Sequence, residues 1–306
     1  MKPKDNPKQI VYLCLQVTKE GQASYAHVHE IIDGLKKLGW SVKLFQPSFK
    51  TDDVTNRSAL SRLLGFVATQ LTLLFSQSFI HSKIVYVRFH FAAFPVVLLA
   101  KLCGHKVVQE VNGPYEDLFI AWPFTRRFRS LFCWLIRIQL QLADLIITAT
   151  PQLKEWVMKE SKNEKVFVIP NGANVSLFVP KASADEPADK YVIFFGALAA
   201  WQGLDVVLQA VKLTNWPSAI KLKIVGDGQL AYSVKQAASE MPERIDYLGK
   251  LPYQQLPSVI NKSLASLVSS QDRESTGLFP LKLFESMACG VPVIVLTTGQ
   301  NFVEAD

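Results

Sequence analysis

Short, nearly continuous apolar runs alternate along the chain with longer segments in which apolar residues recur every three or four positions. Runs of the first kind suit strands buried on both faces, and segments of the second suit amphipathic helices. The alternation therefore predicts βαβ units and parallel sheets, an α/β protein. In the first part of the chain the predicted strands are 10–16, 42–45, 84–88, 106–110, 145–148 and 166–169, with helices at 25–38, 58–75, 92–102, 125–142 and 152–160. A second series has strands at 191–195, 221–225, 245–248, 265–268 and 292–296, with helices near 204–213, 229–239, 254–261 and 281–289.

Between the two series lies "VPKASADEPADK", with two prolines, three alanines and no large apolar residue after its first, which reads as a linker. The expected organisation is an N-terminal domain over 1–178, a linker over 179–190 and a C-terminal domain over 191–306. Each domain is expected to be doubly wound, with ligands bound outside the carboxyl ends of its strands in a shared cleft. The second series stops at "TTGQNFVEAD", directly after a strand and its loop, so that domain is expected to be incomplete.

Composition narrows the class. A chain of 306 residues with 49% hydrophobic and 19% charged positions is globular and long enough for two domains. Four single cysteines, with no CxxC pair, read as buried thiols of a reducing compartment. The polar start leads into an apolar run too short for a secretory core, so a cytoplasmic location is expected. The longest uncharged run, 63–80, spans 18 residues but carries Thr, Ser and Gln, which is too polar for a confident membrane span. The net charge of +7 is uneven: residues 1–190 hold 24 Lys+Arg against 16 Asp+Glu, while the remainder holds 9 against 10. A basic first half suggests an anionic partner there, and the lack of a repeated basic–aromatic pattern favours a membrane surface over nucleic acid. The helix at 125–142 fits that reading. Its wheel groups Phe128, Leu131, Phe132, Leu135, Ile138 and Leu142 opposite Arg126, Arg129 and Arg137, although an ordinary sheet-covering helix has the same pattern.

The stretch "GLFPLKLFESMACGVPVIV" carries the most specific chemistry. At 100° per residue Leu281, Phe284, Met287 and Ala288 share one face, with Glu285 at its edge and Lys282 beyond. Pro280 suits a first helical turn, and the loop before it presents backbone N–H groups at a positive helix end, suited to phosphate. A carboxylate one turn in can accept two hydrogen bonds from ribose hydroxyls. The plainer alternative is an exposed Glu285–Lys282 pair at i, i+3.

The same stretch resembles the donor-nucleotide motif of retaining family 4 glycosyltransferases, which have the two-Rossmann-domain GT-B fold. Four further pieces resemble that family in its own order: "GQASYAHVHEIIDGLKKLGWSVKLFQP", "VIPNGANVSLFVP", "YVIFFGALAAWQGLDVVLQAV" and "KIVGDGQL…IDYLGKLPYQQLP". The resemblance implies transfer of a sugar from a nucleoside-diphosphate sugar, a co-substrate, to a lipid-linked or saccharide acceptor with retention of configuration. It implies no cofactor and no metal, and two domains that close on each other to exclude water. By the same resemblance Glu285 binds the donor ribose, the amides around Phe279, Pro280 and Leu281 take the phosphates, and the backbone near Lys250 and Leu251 meets the base. A first glutamate that touches the donor sugar falls at Gly277 here, with Glu274 nearby. An Arg and a Lys that hold the diphosphate fall at Ala197, after Gly196, and at Gln202. Losing two charge-assisted bonds costs roughly 1.5–3 kcal/mol each, which Lys282 or Arg273 is placed to offset. In the first domain the resemblance puts Asn112 where many members have a histidine facing the transferred sugar. Glu110 and Asn112 are the candidates to orient an acceptor hydroxyl, with a simple "NGP" turn as the alternative. Gly21 and Gln22 form the loop near donor phosphate and acceptor, and Arg88 is a candidate for an anionic acceptor. A nucleotide-sugar epimerase and a non-catalytic scaffold are the rival classes, the latter favoured by Gly277, Ala197 and Gln202.

Overall fold

The computed structural model describes residues 8–18, 23–47, 58–181, 190–199, 202–270 and 280–297. The first series builds strands β1 (Gln9–Cys14), β2 (Ser41–Phe45), β3 (Ile84–Arg88), β4 (Lys106–Val111), β5 (Leu145–Thr148) and β6 (Val166–Val168). Helices α1 (Ala23–Lys37), α2 (Ala59–Leu74), α3 (Gln77–His81), α4 (Phe94–Leu102), α5 (Glu116–Ala121), α6 (Arg129–Gln141) and α7 (Pro151–Ser161) connect them. The sheet is parallel throughout, in the order β2-β1-β3-β4-β5-β6, so the strand order reverses between β1 and β3. Strands covered on both faces need apolar residues at every position, and from Ile10 to Cys14 every β1 residue is buried.

The second series builds β7 (Lys190–Ala197), β8 (Ile220–Asp227), β9 (Ile245–Gly249), β10 (Ala265–Ser270) and β11 (Val293–Thr297), with helices α8 (Leu204–Lys212), α9 (Ala231–Glu240), α10 (Leu256–Ile260) and α11 (Leu281–Ala288). This sheet is also parallel, in the order β11-β10-β7-β8-β9, with its reversal between β7 and β10. Its two faces bury separate cores. Val192 and Phe194 pack with α8 and α9, while Tyr191, Ile193 and Phe195 pack with Ile260 and Cys289. Both cores follow from the period-two alternation of one strand.

The chain divides into two compact units, the break falling between Pro170 and Asn171. Composition places the linker later, at 179–190, of which 182–189 lies outside the described residues. The reason for the earlier break is Phe178, which is buried in the second core, edge-on to Tyr253 at 5.3 Å.

The helix expected at 58–75 forms over Ala59–Leu74 with Phe75 as its C-cap, and Ser76 starts α3 by accepting the Phe79 N–H on its side chain. The uncharged run 63–80 is thus shared between two helices, and no helix among the described residues is long and apolar enough to cross a membrane. Two expectations are corrected. The segment 125–142 is not one helix. Residues Pro123–Phe128 form a 3₁₀ turn that shifts the phase, so α6 buries Cys133, Ile136, Gln139 and Leu140 and leaves Phe128, Leu131 and Trp134 exposed. Three cysteines are buried as expected, but Cys103 is exposed.

Candidate functional site

In the first unit, a cavity of about 480 Å³ opens at the carboxyl ends of β1, β3 and β4, beside the reversal of strand order. Gln16, Arg88 and Asn112 enter it from the strand ends, and Phe66, Phe91, Tyr115 and Trp122 supply aromatic walls. Arg62 of α2 lies with its guanidinium 4.1 Å from the Trp122 ring centroid. Such a pocket offers flat apolar faces and a few convergent polar groups, the composition of a site for a small polar ligand with an apolar side.

Behind the pocket sits Glu110, only 3% exposed. Its Oε1 accepts from Arg88 Nη1 at 2.8 Å and Asn112 Nδ2 at 2.7 Å, and its Oε2 accepts from the hydroxyls of Tyr12 at 3.1 Å and Tyr86 at 3.0 Å. Arg88 and Glu110 are paired across β3 and β4, so the register itself brings the ions together. Burial first, and the Glu110 charge second, push both tyrosine hydroxyls above their usual range, which keeps them donors. Burial is the largest influence on Arg88 and lowers it, but Glu110, with Tyr12, Cys14 and Tyr86 adding, carries the net shift upward. The pocket wall includes Arg88 and Asn112 and leaves out Glu110. Glu110, expected to orient an acceptor hydroxyl directly, instead holds those two side chains in place.

His90 follows β3 and was not singled out among the candidates, although it shares "RFH" with Arg88. Its Nδ1 accepts the Ala92 N–H at 3.2 Å, which leaves Nε2 as the donor, and Phe91 stacks on it at 4.5 Å. Burial, with Arg62 adding, pushes it down to about 3, so it stays neutral at physiological pH.

In the second unit the strand ends are glycine-lined. Gly196 of β7 pairs with Gly226 of β8, and a Cβ on Gly226 would meet the Gly196 carbonyl oxygen at 1.9 Å. Gly228 is as constrained, since its Cβ would meet the Leu198 oxygen at 2.6 Å. "GDG" is thus required for the backbone to pass this closely. Opposite, α11 begins after Pro280, whose side chain makes no capping bond. Glu285 is 5% exposed, and its Oε1 accepts from Tyr253 Oη at 2.9 Å. Lys282 is 7% exposed, its ammonium 4.2 Å from the Phe194 ring centroid and, among the described residues, without a hydrogen-bond partner. Burial pushes it down to about 7, with Glu285 opposing. An exposed Glu285–Lys282 pair is therefore not what forms: both side chains turn inward, because the helix lies over the sheet on the side they share.

Two family models match in tandem. "Glycosyltransferase Family 4" covers residues 26–177 and "Glycosyl transferases group 1" covers 177–304. The chain belongs to the group 1, family 4 glycosyltransferases. A curated relative, a GDP-mannose-dependent monoacylated alpha-(1-6)-phosphatidylinositol monomannoside mannosyltransferase of Corynebacterium glutamicum, is 26% identical over 149 residues, 43% of this chain. The match spans 38% of that relative's length. Among solved structures, sucrose-phosphate synthase from Thermosynechococcus elongatus is similar with a TM-score of 0.71 and 17% identity, over 94% of this chain and 81% of that one. Anabaena HepE in complex with UDP is similar with a TM-score of 0.64 and 16% identity, over 94% and 80%. These likenesses establish the GT-B fold of this family 4 member, two Rossmann-like parallel sheets with flanking helices.

Within that family frame, the structure brings together Arg88 and Asn112 in one unit, and in the other Glu285 with the loop that carries Lys250 and Leu251, through Tyr253. Gly196 ends β7 next to Ala197, and the Gln202 amide donates to the Ala199 carbonyl at 2.9 Å. Gly21, Gln22, Arg273, Glu274, Gly277 and Phe279 lie outside the described residues. Sequence reasoning missed Tyr253, Trp122 and His90. The aromatic residues had no charge to flag them, and their roles depend on contacts across elements. No group of three or more His, Cys, Asp or Glu that could hold a metal occurs among the described residues.

Proposed function

We propose that the protein is a glycosyltransferase that moves a sugar from a nucleoside-diphosphate sugar to an acceptor hydroxyl with retention of configuration, without a metal. The observation that carries this reading is the Tyr253–Glu285 hydrogen bond, which joins the start of α11 to the loop after β9 beside the glycine-lined ends of β7 and β8. In that arrangement Glu285 accepts from the ribose hydroxyls, the backbone at Lys250 and Leu251 meets the base, and the amides opening α11 meet the diphosphate as leaving-group charge develops. The UDP-bound neighbour of the same fold supports a nucleotide partner.

The first unit takes the acceptor. Its cavity pairs aromatic walls with Arg88 and Asn112, a match for a saccharide carrying an anionic or polar group. We assign the acceptor to a lipid-linked or surface-polysaccharide intermediate, which places the protein at the cytoplasmic face of a membrane. The lipid-linked acceptor named for the Corynebacterium relative supports this. So does the surface of the first unit. Leu60, Leu63, Leu64, Val67 and Leu71 form an exposed stripe along α2, and Phe124, Phe128, Leu131 and Trp134 are exposed near Arg126, Arg127 and Arg129. Trp122 links the two patches, under Arg62 of α2 and edge-on to Phe124 at 5.9 Å. Apolar side chains beside arginines suit an anionic bilayer, where each arginine contributes about 1 kcal/mol.

Incubation of the full chain with a panel of sugar nucleotides tests the reading: donor hydrolysis or transfer is expected, with the product anomer retained. Unchanged affinity for every sugar nucleotide after Glu285→Ala would refute it, and binding with no turnover under any donor and acceptor would favour a scaffold. Co-sedimentation is expected with anionic vesicles, weakened by salt and by Leu64→Glu; equal binding to neutral vesicles would remove the membrane assignment.

A further inference from the structure

The ladder between β7 and β10 is two residues deep: Ala265 pairs with Val192 and Ser266 with Ile193, although the strands run on to Ala197 and Ser270. The strands part where their order reverses, and such a crevice is where doubly wound sheets bind ligands. Phe194 is the first β7 residue beyond that ladder, and the Lys282 ammonium sits against its ring. The helix bearing Lys282 is held there by Ser286, whose hydroxyl donates to Ser266 Oγ of β10 at 2.8 Å. Among the described residues this amine makes no hydrogen bond, and a methionine would cover Phe194 without a charge to desolvate. Among the described residues, Glu285 is the one charge acting on it. Tyr253 donates to Glu285, β7 offers the apolar Phe194, β10 the neutral Ser266, and the Cys289 thiol is pushed up to about 11 by burial and by Glu285.

We propose that Lys282 is a proton-accepting counter-ion in the donor crevice: neutral while the crevice is empty, it takes one proton from solvent when a nucleoside diphosphate enters, and the ammonium so formed pairs with the diphosphate. The proposal rests on the donor reading of this unit. The N–H bond that forms is matched by the bond that the donating buffer acid loses, and the positive charge gained is balanced by the added anion. With burial holding the amine down to about 7, the empty site at pH 8 is mostly uncharged, and a diphosphate nearby restores the ordinary preference for ammonium.

Calorimetric titration of the full chain with UDP, GDP and ADP at pH 8, in two buffers of different ionisation enthalpy, reads the proton directly. Uptake of about 0.9 proton per nucleotide is expected for a group that titrates near 7. Affinity should fall about tenfold per pH unit above 7, and Lys282→Met should remove both the uptake and the slope. Carbon-13 NMR at lysine Cε of the ligand-free protein gives a nucleotide-independent reading: one lysine titrating near 7, missing from Lys282→Met. Nucleotide binding with no buffer dependence, or a free protein whose lysines all titrate near 10, overturns the proposal and leaves the donor reading standing. No binding of any of the three nucleotides overturns both.

Discussion

Half-buried Arg88 and buried Lys282 are two cations near the switch points of two parallel sheets, and their surroundings send them in opposite directions. For each, burial is the largest influence and lowers the pKa. Arg88 has a carboxylate at 2.8 Å and Gln16 on its Nε at 3.2 Å, so its charge ends up favoured. Lys282 has an aromatic ring at 4.2 Å and, among the described residues, no hydrogen bond, so burial outweighs the nearby Glu285 and its charge ends up disfavoured. Burial thus sets the stakes, and the partner decides the outcome. A buried cation with its lone-pair partners in place belongs to the architecture. One without them has its partner still to come.

The sharpest way to break this comparison is to remove the partnered cation. Arg88→Met leaves Glu110 buried without its counter-charge and is expected to cost about 3–5 kcal/mol in chemical denaturation. Adding Glu110→Gln should recover a large share, because the stranded charge goes with it. Lys282→Met should do the reverse and stabilise the ligand-free protein by about 1–4 kcal/mol at pH 6. Equal losses in the two single variants would erase the distinction.

The pH dependence sharpens it further. The native Lys282 amine gives up its proton near 7, whereas in the unfolded chain it keeps it to the ordinary lysine range. Between those values the unfolded state binds more protons, so stability rises with pH, by up to about 1.4 kcal/mol per pH unit. The rise should be seen as the difference between wild type and Lys282→Met in urea midpoints from pH 7 to 10. The smallest effects belong to single tyrosine bonds. Tyr86→Phe should cost about 1.5–3 kcal/mol of stability, since Glu110 keeps three donors. Tyr253→Phe should cost about 1 kcal/mol and weaken nucleotide affinity no more than about tenfold in the same calorimeter.

Much of the fold was legible in advance because both-face burial leaves unbroken apolar runs. The strands at 84–88 and 145–148 coincide with β3 and β5, and the other strands and most helices lie within a few residues of their expected bounds. The elements missed, α3 and α5, are five and six residues long, too short to display a helical period. The helix at 125–142 was misread because periodicity assumes one phase, and the 3₁₀ turn over Pro123–Phe128 breaks it. At the site, Glu285 stood out as a charge in an apolar helix, Arg88 as a cation ending a strand and Asn112 through the family resemblance, while Tyr12, Tyr86 and Tyr253 carried no signal until their hydroxyls met carboxylates across elements.

By itself the sequence settled the class of the protein, two doubly wound halves and which loops follow strand ends, because apolar periodicity is local and survives without coordinates; the family came from the resemblance of five motifs in order. The sequence left undecided which charges face each other. Glu110 meets four donors drawn from two neighbouring strands and the turn after its own, and Lys282 lies against a strand nearly ninety residues away, relations set by sheet register and by where two strands separate. Electrostatic energy depends on those through-space distances and on exclusion of water, so only tertiary structure makes one carboxylate a clamp and leaves one amine without a hydrogen bond among the described residues.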